Sequence, residues 1–314
     1  MIQAKNVIVV TAGDSPEHAG AVVSATHAGE ALQGLGLSVE QIDISRSLPG
    51  HFVNQDFAFI AGHGWHGEDG KLQGYLETLK VPYTGSGVLA SAAAMYKPTA
   101  NRLMESAGLR VPEWIVVDGS AQFGAEAKKI ADSLDFPIFI KPSSGGGSLS
   151  ATIVRDMNQL EHFLENEVDQ AVEYMASAHI SGRDVSVGIL ERESGLHALP
   201  ILMTEYDREF YDYEVKHNAE LRRHSCPAPL SPTLAEQLQH WSKAAFELLG
   251  CRGVARVDFI VDDSDQAWFL EVNTVPGMSN QGNLATMARA AGMSYNELIS
   301  EIAVSAFGRP RYAP

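Results

Sequence analysis

The chain has 314 residues, 45% of them hydrophobic, which is the composition of an ordinary globular protein and enough length for two or three domains. Lys and Arg total 23 against 39 Asp and Glu, and the formal charge of −16 opposes general affinity for nucleic acid or an anionic membrane. A phosphate-bearing ligand would need a locally basic pocket. The two cysteines, Cys226 and Cys251, fit neither a metal-ligand spacing nor a disulfide framework and are expected to stay reduced. The opening MIQAKNVIVV enters a strand without a secretory signal pattern, and no apolar run approaches the roughly 20 residues of a membrane span, so the expectation is a soluble cytoplasmic protein.

Strand and helix alternate through the first third. Val7 to Val10 is a β-branched run, Ala12-Gly13-Asp14 a turn, Ser15 an N-cap with Pro16 at the first helical position, and a helix runs to about Gly34. Strands follow near Val39 to Ile42 and Phe57 to Ile60, a parallel βαβ pattern in which ligands sit at the carboxyl ends of strands. Glu17 and His63 fall at such ends. From Lys97 the pattern changes: a Pro98-started helix, the strand EWIVV, a helix around Ala125 to Leu134, the segment FIKPSSGGGSLSA, the extended ATIVR and the amphipathic MNQLEHFLEN. This predicts a small α+β domain in which the glycine loop joins two antiparallel strands.

Beyond Gly182, extended segments at Val185 to Leu190 and Leu199 to Met203 precede a polar stretch, Tyr206 to Pro229, without periodicity. A loop that long is functional or disordered. A helix from Pro232 to Leu249 then leads to two apolar strands, VARVDFIV and AWFLEVN. Period-two spacing puts Arg256 with Asp258 on one face and Glu271 with Asn273 on one face. If the strands pair, two carboxylates and an amide oxygen converge as a hard-oxygen site suited to Mg²⁺, the alternative being solvated positions of a half-buried sheet. In NTVPGMSNQGN, Pro276-Gly277 breaks the strand; taken alone a simple turn is the better reading, the alternative being that the Gly277 N–H with Arg256 serves a developing oxyanion. Lys141 is delivered by an apolar strand to three glycines, and Lys97 stands at a helix start. The loop has neither P-loop spacing nor a strand-to-helix context, which excludes both common phosphate fingerprints.

The segments HGWHGEDGKLQGYLETLKVPYTGSGVLASAAAMYK, FYDYEVKHN, RVDFIV and FLEVNTVPGMS, spread in order over nearly the whole chain, resemble the D-alanine–D-alanine ligase family of the ATP-grasp superfamily. The resemblance implies a three-domain α/β and α+β architecture: an N-terminal parallel α/β domain (1–96), a central ATP-grasp domain (97–182) and a C-terminal ATP-grasp domain (183–314). It implies an ATP-dependent carboxylate–amine ligase of peptidoglycan precursor and cell-wall synthesis, working through an acyl phosphate, with two Mg²⁺ ions. Asp258, Glu271 and Asn273 would hold the metal; Lys97, Lys141, Lys216, Ser148 and Asp184 would bind the nucleotide. Arg256 and Gly277 would serve the tetrahedral intermediate, Glu17 the first ammonium, and His63 its carboxylate. Amino acids, D-alanine foremost, would be the substrates, and a homodimer the assembly.

Several positions depart from that family. Its lid usually reads E-G-S-S-V-G, where this chain has Gly145 to Ser150, so Gly147 replaces a serine; in the long loop His217 replaces a tyrosine. A Glu–Ser–Tyr link is thereby lost. Ser177-Ala178-His179-Ile180 replaces an adenine-reading Glu-Lys pair, leaving backbone groups to read the base, and Asp184 replaces a ribose-binding glutamate. Gly282, with Asn283 beside it, stands where a serine would bind the second substrate's carboxylate. Because departures fall on substrate-shaping positions, a changed amino acid or a hydroxy acid acceptor is the alternative to D-alanine. A nucleotide-binding homologue without turnover is the third reading.

Overall fold

A computed structural model describes residues 4–11, 17–44, 52, 54–119, 122–146, 150–208, 214 and 218–308. Strand β1 (Asn6–Thr11) is buried almost throughout, as befits the centre of a parallel sheet covered on both faces. It pairs in parallel with β2 (Ser38–Asp43) and β3 (Phe57–Ile60), in the order β2-β1-β3. Helix α1 (His18–Gly34) turns Ala21, Ser24, Ala25 and Ala28 inward. It starts at His18 with Glu17 at its N-cap, later than the expected Ser15-Pro16 start; those two residues lie outside the described set. Helices α2 (Lys71–Thr78), α3 (Val88–Met95) and α4 (Lys97–Ser106) follow, with Pro98 in the first turn of α4.

The middle of the chain forms β4 (Trp114–Val117), α5 (Phe123–Ser133), β5 (Ile138–Pro142), β6 (Thr152–Val154), α6 (Met157–Asn166) and β7 (Tyr174–Ala178). The sheet order is β4-β7-β5-β6, all antiparallel, and the glycine loop does join the antiparallel pair β5–β6. Strand β7 was not visible in sequence. Its YMASA is buried without alternation because both faces are covered: Tyr174 and Ala176 enter the cluster of this sheet while Met175 and Ser177 lie under the cleft-facing side.

The large antiparallel sheet contains β8 (Arg183–Arg192), β9 (Gly195–Ala198), β10 (Leu202–Tyr206), β11 (Arg222–Ser225), β12 (Val254–Val261) and β13 (Ala267–Asn273). Its order is β11-β10-β8-β12-β13, with β9 pairing β8. The polar stretch expected to be loop therefore contributes an edge strand, β11, whose RRHS is charged as edges commonly are. Helix α7 (Pro232–Leu249) is capped by the Ser231 hydroxyl and closed by Gly250 in the left-handed region. Helices α8 (Asn283–Ala290) and α9 (Tyr295–Val304) complete the chain, the latter with a Ser294–Glu297 capping box.

Among the described residues three buried clusters accompany three sheets. One joins β1 and β3 to α1 and also takes Leu284, Met287, Ile299 and Ile302 from α8 and α9. A second lies under the large sheet and includes Ala100 and Met104 of α4. The third, from Val117 to Ala176, belongs to the four-stranded sheet alone. Among the described residues no helix is long and apolar enough to cross a membrane.

At the junction between the four-stranded and large sheets, a Cβ on Gly182 would collide with the Val261 carbonyl oxygen and stand 2.7 Å from Ile260 Cγ2. Backbone cannot yield as a side chain can. Gly182→Ala should therefore cost about 1–3 kcal/mol and lower the thermal midpoint by several degrees in calorimetry.

Candidate active site

One face of the large sheet gathers the polar residues. Across β12 and β13, Arg256 faces Asn273 and Asp258 faces Glu271; across β8 and β12, Asp258 faces Ser186; across β10 and β8, Thr204 faces Asp184. Residues directly opposite share a face, so the four positions read from period-two spacing do converge. The pairing slips between Asp258 and Phe259, because Phe259 faces Phe269 and leaves Leu270 as an extra residue. Without that bulge, Phe269 and Glu271 would share a face. With it, Phe269 enters the core at 1% exposure while Glu271 turns to the cleft.

Asp258 is the hub of this face. Arg256 donates to both its oxygens, Nε to Oδ1 at 2.8 Å and a terminal nitrogen to Oδ2 at 2.7 Å. The Ser186 hydroxyl adds a bond at 2.7 Å, and the Asn273 amide nitrogen another at 2.9 Å. Arg256 and Asp258, expected separately as oxyanion donor and metal ligand, are thus forked onto each other. Among the described residues no three His, Cys, Asp or Glu side chains cluster as metal ligands. Two carboxylates and an amide on one face nevertheless form the hard-oxygen set that suits Mg²⁺. Asn273 turns its amide nitrogen to Asp258, which leaves its carbonyl oxygen for another partner.

A cleft of about 770 Å³ lies over this face, bounded on the other side by the four-stranded sheet. Lys97 and Lys141 both line it, supplying the local positive charge that an acidic chain needs for phosphate. Lys97 is only 7% exposed, and its Nζ donates to the Gly145 carbonyl at 2.6 Å, tying the start of α4 to the glycine loop. Lys141 Nζ stands 5.7 Å from the centre of the Phe139 ring. Glu17 lies against the same loop: a Cβ on Gly146 would stand 2.5 Å from its Oε2. The carboxylate of Glu17 therefore meets lid backbone. Gly147, Ser148, Lys216 and His217 lie outside the described residues.

At one end of the cleft Asp184 accepts a hydrogen bond from the hydroxyl of Tyr206, a residue sequence reasoning missed. Ser177, Ala178, His179 and Ile180 line the cleft. Two of their backbone donors are already committed, Ala178 N–H to the Glu113 carbonyl and His179 N–H to that of Pro137, which narrows the backbone reading of a base. His63, which is not among the residues lining the cleft, stands between α1 and the loop after β13, its ring 3.2 Å from a Cβ built on Gly20 and 3.8 Å from one on Gly277. Of Gly282 and Asn283, Asn283 lines the cleft, while Gly282 caps α8. A side chain begun at Gly282 would meet the Ser279 hydroxyl at 3.1 Å, so a hydroxyl already stands beside that position.

Glu68, in the GEDG turn, carried no signal in sequence because acidic residues in glycine turns are ordinarily solvated. It is buried, accepts the Gly64 N–H at 3.0 Å, and its carboxyl is pushed up to about 8, first by burial and then by the Glu17 carboxylate.

The family profile described as D-ala D-ala ligase C-terminus matches residues 103–304. The D-alanine–D-alanine ligase of Dechloromonas aromatica is 36% identical, covering 94% of this chain and 96% of the relative. That of Parvibaculum lavamentivorans is 39% identical over 96% and 97%. The crystal structure of D-alanine–D-alanine ligase from Bacillus anthracis complexed with ATP superimposes with a TM-score of 0.80, 28% identity and 98% coverage of both chains. VanG D-Ala:D-Ser ligase from Enterococcus faecalis gives 0.83, 25% identity, and 97% and 100% coverage. This chain belongs to the D-alanine–D-alanine ligase family, and its three-sheet arrangement is the ATP-grasp fold of that family.

Because the folded-state pKa of Glu68 lies above its unfolded value, the native state holds the extra proton between about pH 4.5 and 8. Stability should fall as pH rises through that window, by at most about 1.4 kcal/mol per pH unit from this group. Glu68→Gln removes the titration, so urea unfolding should show the variant gaining on the parent from pH 5 to 8; a constant difference across that range would contradict it.

Proposed function

We propose that the protein is an ATP-dependent D-alanine–D-alanine ligase of cell-wall precursor synthesis. The observation that carries this reading is the convergence of Lys97 and Lys141 with Arg256, Asp258 and Glu271 in one cleft, with Glu17 at its edge, in a member of that ligase family. The carboxylate of one D-alanine attacks the γ-phosphorus of ATP, and ADP leaves. The resulting acyl phosphate is attacked at its carbonyl carbon by the amine of a second D-alanine, and the tetrahedral intermediate expels phosphate.

Lys97, Lys141 and Lys216 hold the phosphates, with Ser148 in the lid and Asp184 on the ribose. Asp258, Glu271 and Asn273 would hold Mg²⁺, two ions in all, which when bound lowers the charge of the triphosphate. Arg256, turning from Asp258, and the Gly277 N–H donate to the oxyanion of the tetrahedral intermediate. Glu17 receives the first ammonium and His63 orients its carboxylate. The units 1–96, 97–182 and 183–314 act as three domains, in a cytoplasmic homodimer.

A second reading, a changed acceptor, is favoured by the acceptor end of the cleft. There Gly282 offers no hydroxyl, and Ser279 and Asn283 are the polar side chains at hand. Gly147 and His217 depart in the same sense.

Mass spectrometry of products from Mg·ATP with D-alanine, D-serine and D-lactate, alone and mixed, separates these readings. D-alanyl-D-alanine should dominate under the first, and a mixed dipeptide or depsipeptide under the second. Glu271→Ala or Asp258→Ala should reduce ligation by about a hundredfold or more with an unchanged circular dichroism spectrum, since each removes an oxygen from a small donor set. Lys141→Ala should weaken ATP binding by roughly tenfold to a hundredfold in calorimetry, the loss expected for one charge-assisted hydrogen bond.

A further inference from the structure

The loop from Gly277 to Gly282, which the functional reading places on the acceptor side, is held from outside itself. The Met278 N–H donates to the Ser24 hydroxyl at 3.1 Å, and the Asn280 N–H donates to His27 Nδ1 at 3.2 Å. Both acceptors lie on α1, three residues apart and therefore on one face of that helix. They are more than 250 positions from the loop in sequence. The loop's carbonyls are held from its other flank, that of Met278 by the Tyr295 hydroxyl at 2.6 Å and that of Asn280 by Arg289 at 2.7 Å. Among the described residues the buried Asn280 side-chain oxygen has no donor, a cost the loop bears while its backbone is fixed in place. At the start of the same helix stands Glu17, against the lid.

We infer that Ser24 and His27 are positioning residues for the acceptor amino acid, so that one helix sets both amino-acid subsites: the first through Glu17, the second through the two hydrogen bonds to the Met278–Asn280 backbone. Neither side chain lines the cleft; each acts through the loop that carries Ser279 and leads into Asn283. His27 can accept only while Nδ1 carries no proton, which assigns its ring hydrogen to Nε2. The spacing between donor and acceptor is then set by the rigid rise of α1. A loop released from α1 could shift toward or away from the first substrate, and geometry at the reacting carbon is what an intermolecular amine attack depends on.

This inference rests on the ligase reading, and the test separates the two. His27 is half-buried, so His27→Leu removes the acceptor with little change of volume. His27→Asn restores an acceptor on the same δ position, and Ser24→Ala removes the second bond. In initial-rate kinetics with the donor and acceptor constants resolved, His27→Leu and Ser24→Ala should raise the acceptor KM by roughly fivefold, the loss expected for one neutral hydrogen bond. The KM values for ATP and donor should stay within about twofold, and His27→Asn should recover most of the loss. The ratio of dipeptide to depsipeptide from mixed D-alanine and D-lactate should shift in the same variants. Amide exchange at Asn280 should accelerate in His27→Leu and slow again in His27→Asn, a readout independent of turnover. An active parent whose His27→Leu variant keeps its acceptor KM, or in which all three constants rise together, overturns the inference alone. A parent without ligation under any amino acid overturns the functional reading and this inference with it.

Discussion

The pairing of β12 with β13, and the single extra residue within it, is the constraint on which the site depends. Strands alternate faces, so a regular ladder could not send Phe269 into the core and Glu271 to the cleft. One bulged residue, Leu270, reconciles the two demands. Hydrophobic burial on one side of the sheet is thereby kept whole, with Phe259 and Phe269 in edge contact at 6.1 Å, while the other side collects Arg256, Asp258, Glu271 and Asn273. An ion pair in a partly buried place is costly to desolvate, and here each oxygen of Asp258 has two donors to offset that cost.

The glycine loop and the cleft-lining residues are arranged around this fixed face. Lys97 reaches the Gly145 carbonyl from a helix that packs into the large-sheet core, so the root of the glycine loop is tied to the sheet that carries Asp258. At Gly146 the Glu17 carboxylate lies in the space a Cβ would take, so a side chain there would displace that carboxylate. Ser150, at the far end of the loop, holds φ at +55°, in the left-handed region where a non-glycine residue is strained. A small conformational cost is thereby stored at the point where the loop rejoins β6.

Much of this was legible in the sequence, and what was not has identifiable causes. The strands β1, β3, β12 and β13 were readable because they are apolar runs with either continuous or alternating burial, and the shared face of Arg256 and Asp258 follows from period two alone. The bulge at Leu270 leaves no compositional mark. Strand β7 lacks alternation because both its faces are covered, and β11 looks like loop because an exposed edge tolerates charge. Glu68 reads as solvent-facing until the turn around it is seen folded inward. Ser24 and His27 look like ordinary helix residues, since their partners lie at the other end of the chain and no local pattern encodes a contact of that range.

The sharing of one core between β1, β3, α1 and the helices α8 and α9 has a consequence for how the chain must be made. During vectorial synthesis the first sheet leaves the ribosome early, yet Ile299 and Ile302, which complete its hydrophobic cluster, are translated only near the end. At about 5–20 residues per second the first sheet would wait on the order of ten seconds or more with an apolar flank exposed. The four-stranded sheet, whose cluster is contained between Val117 and Ala176, faces no such delay and can close as soon as its own residues emerge. The order of folding would then run against the order of synthesis, with the middle of the chain finished before the beginning.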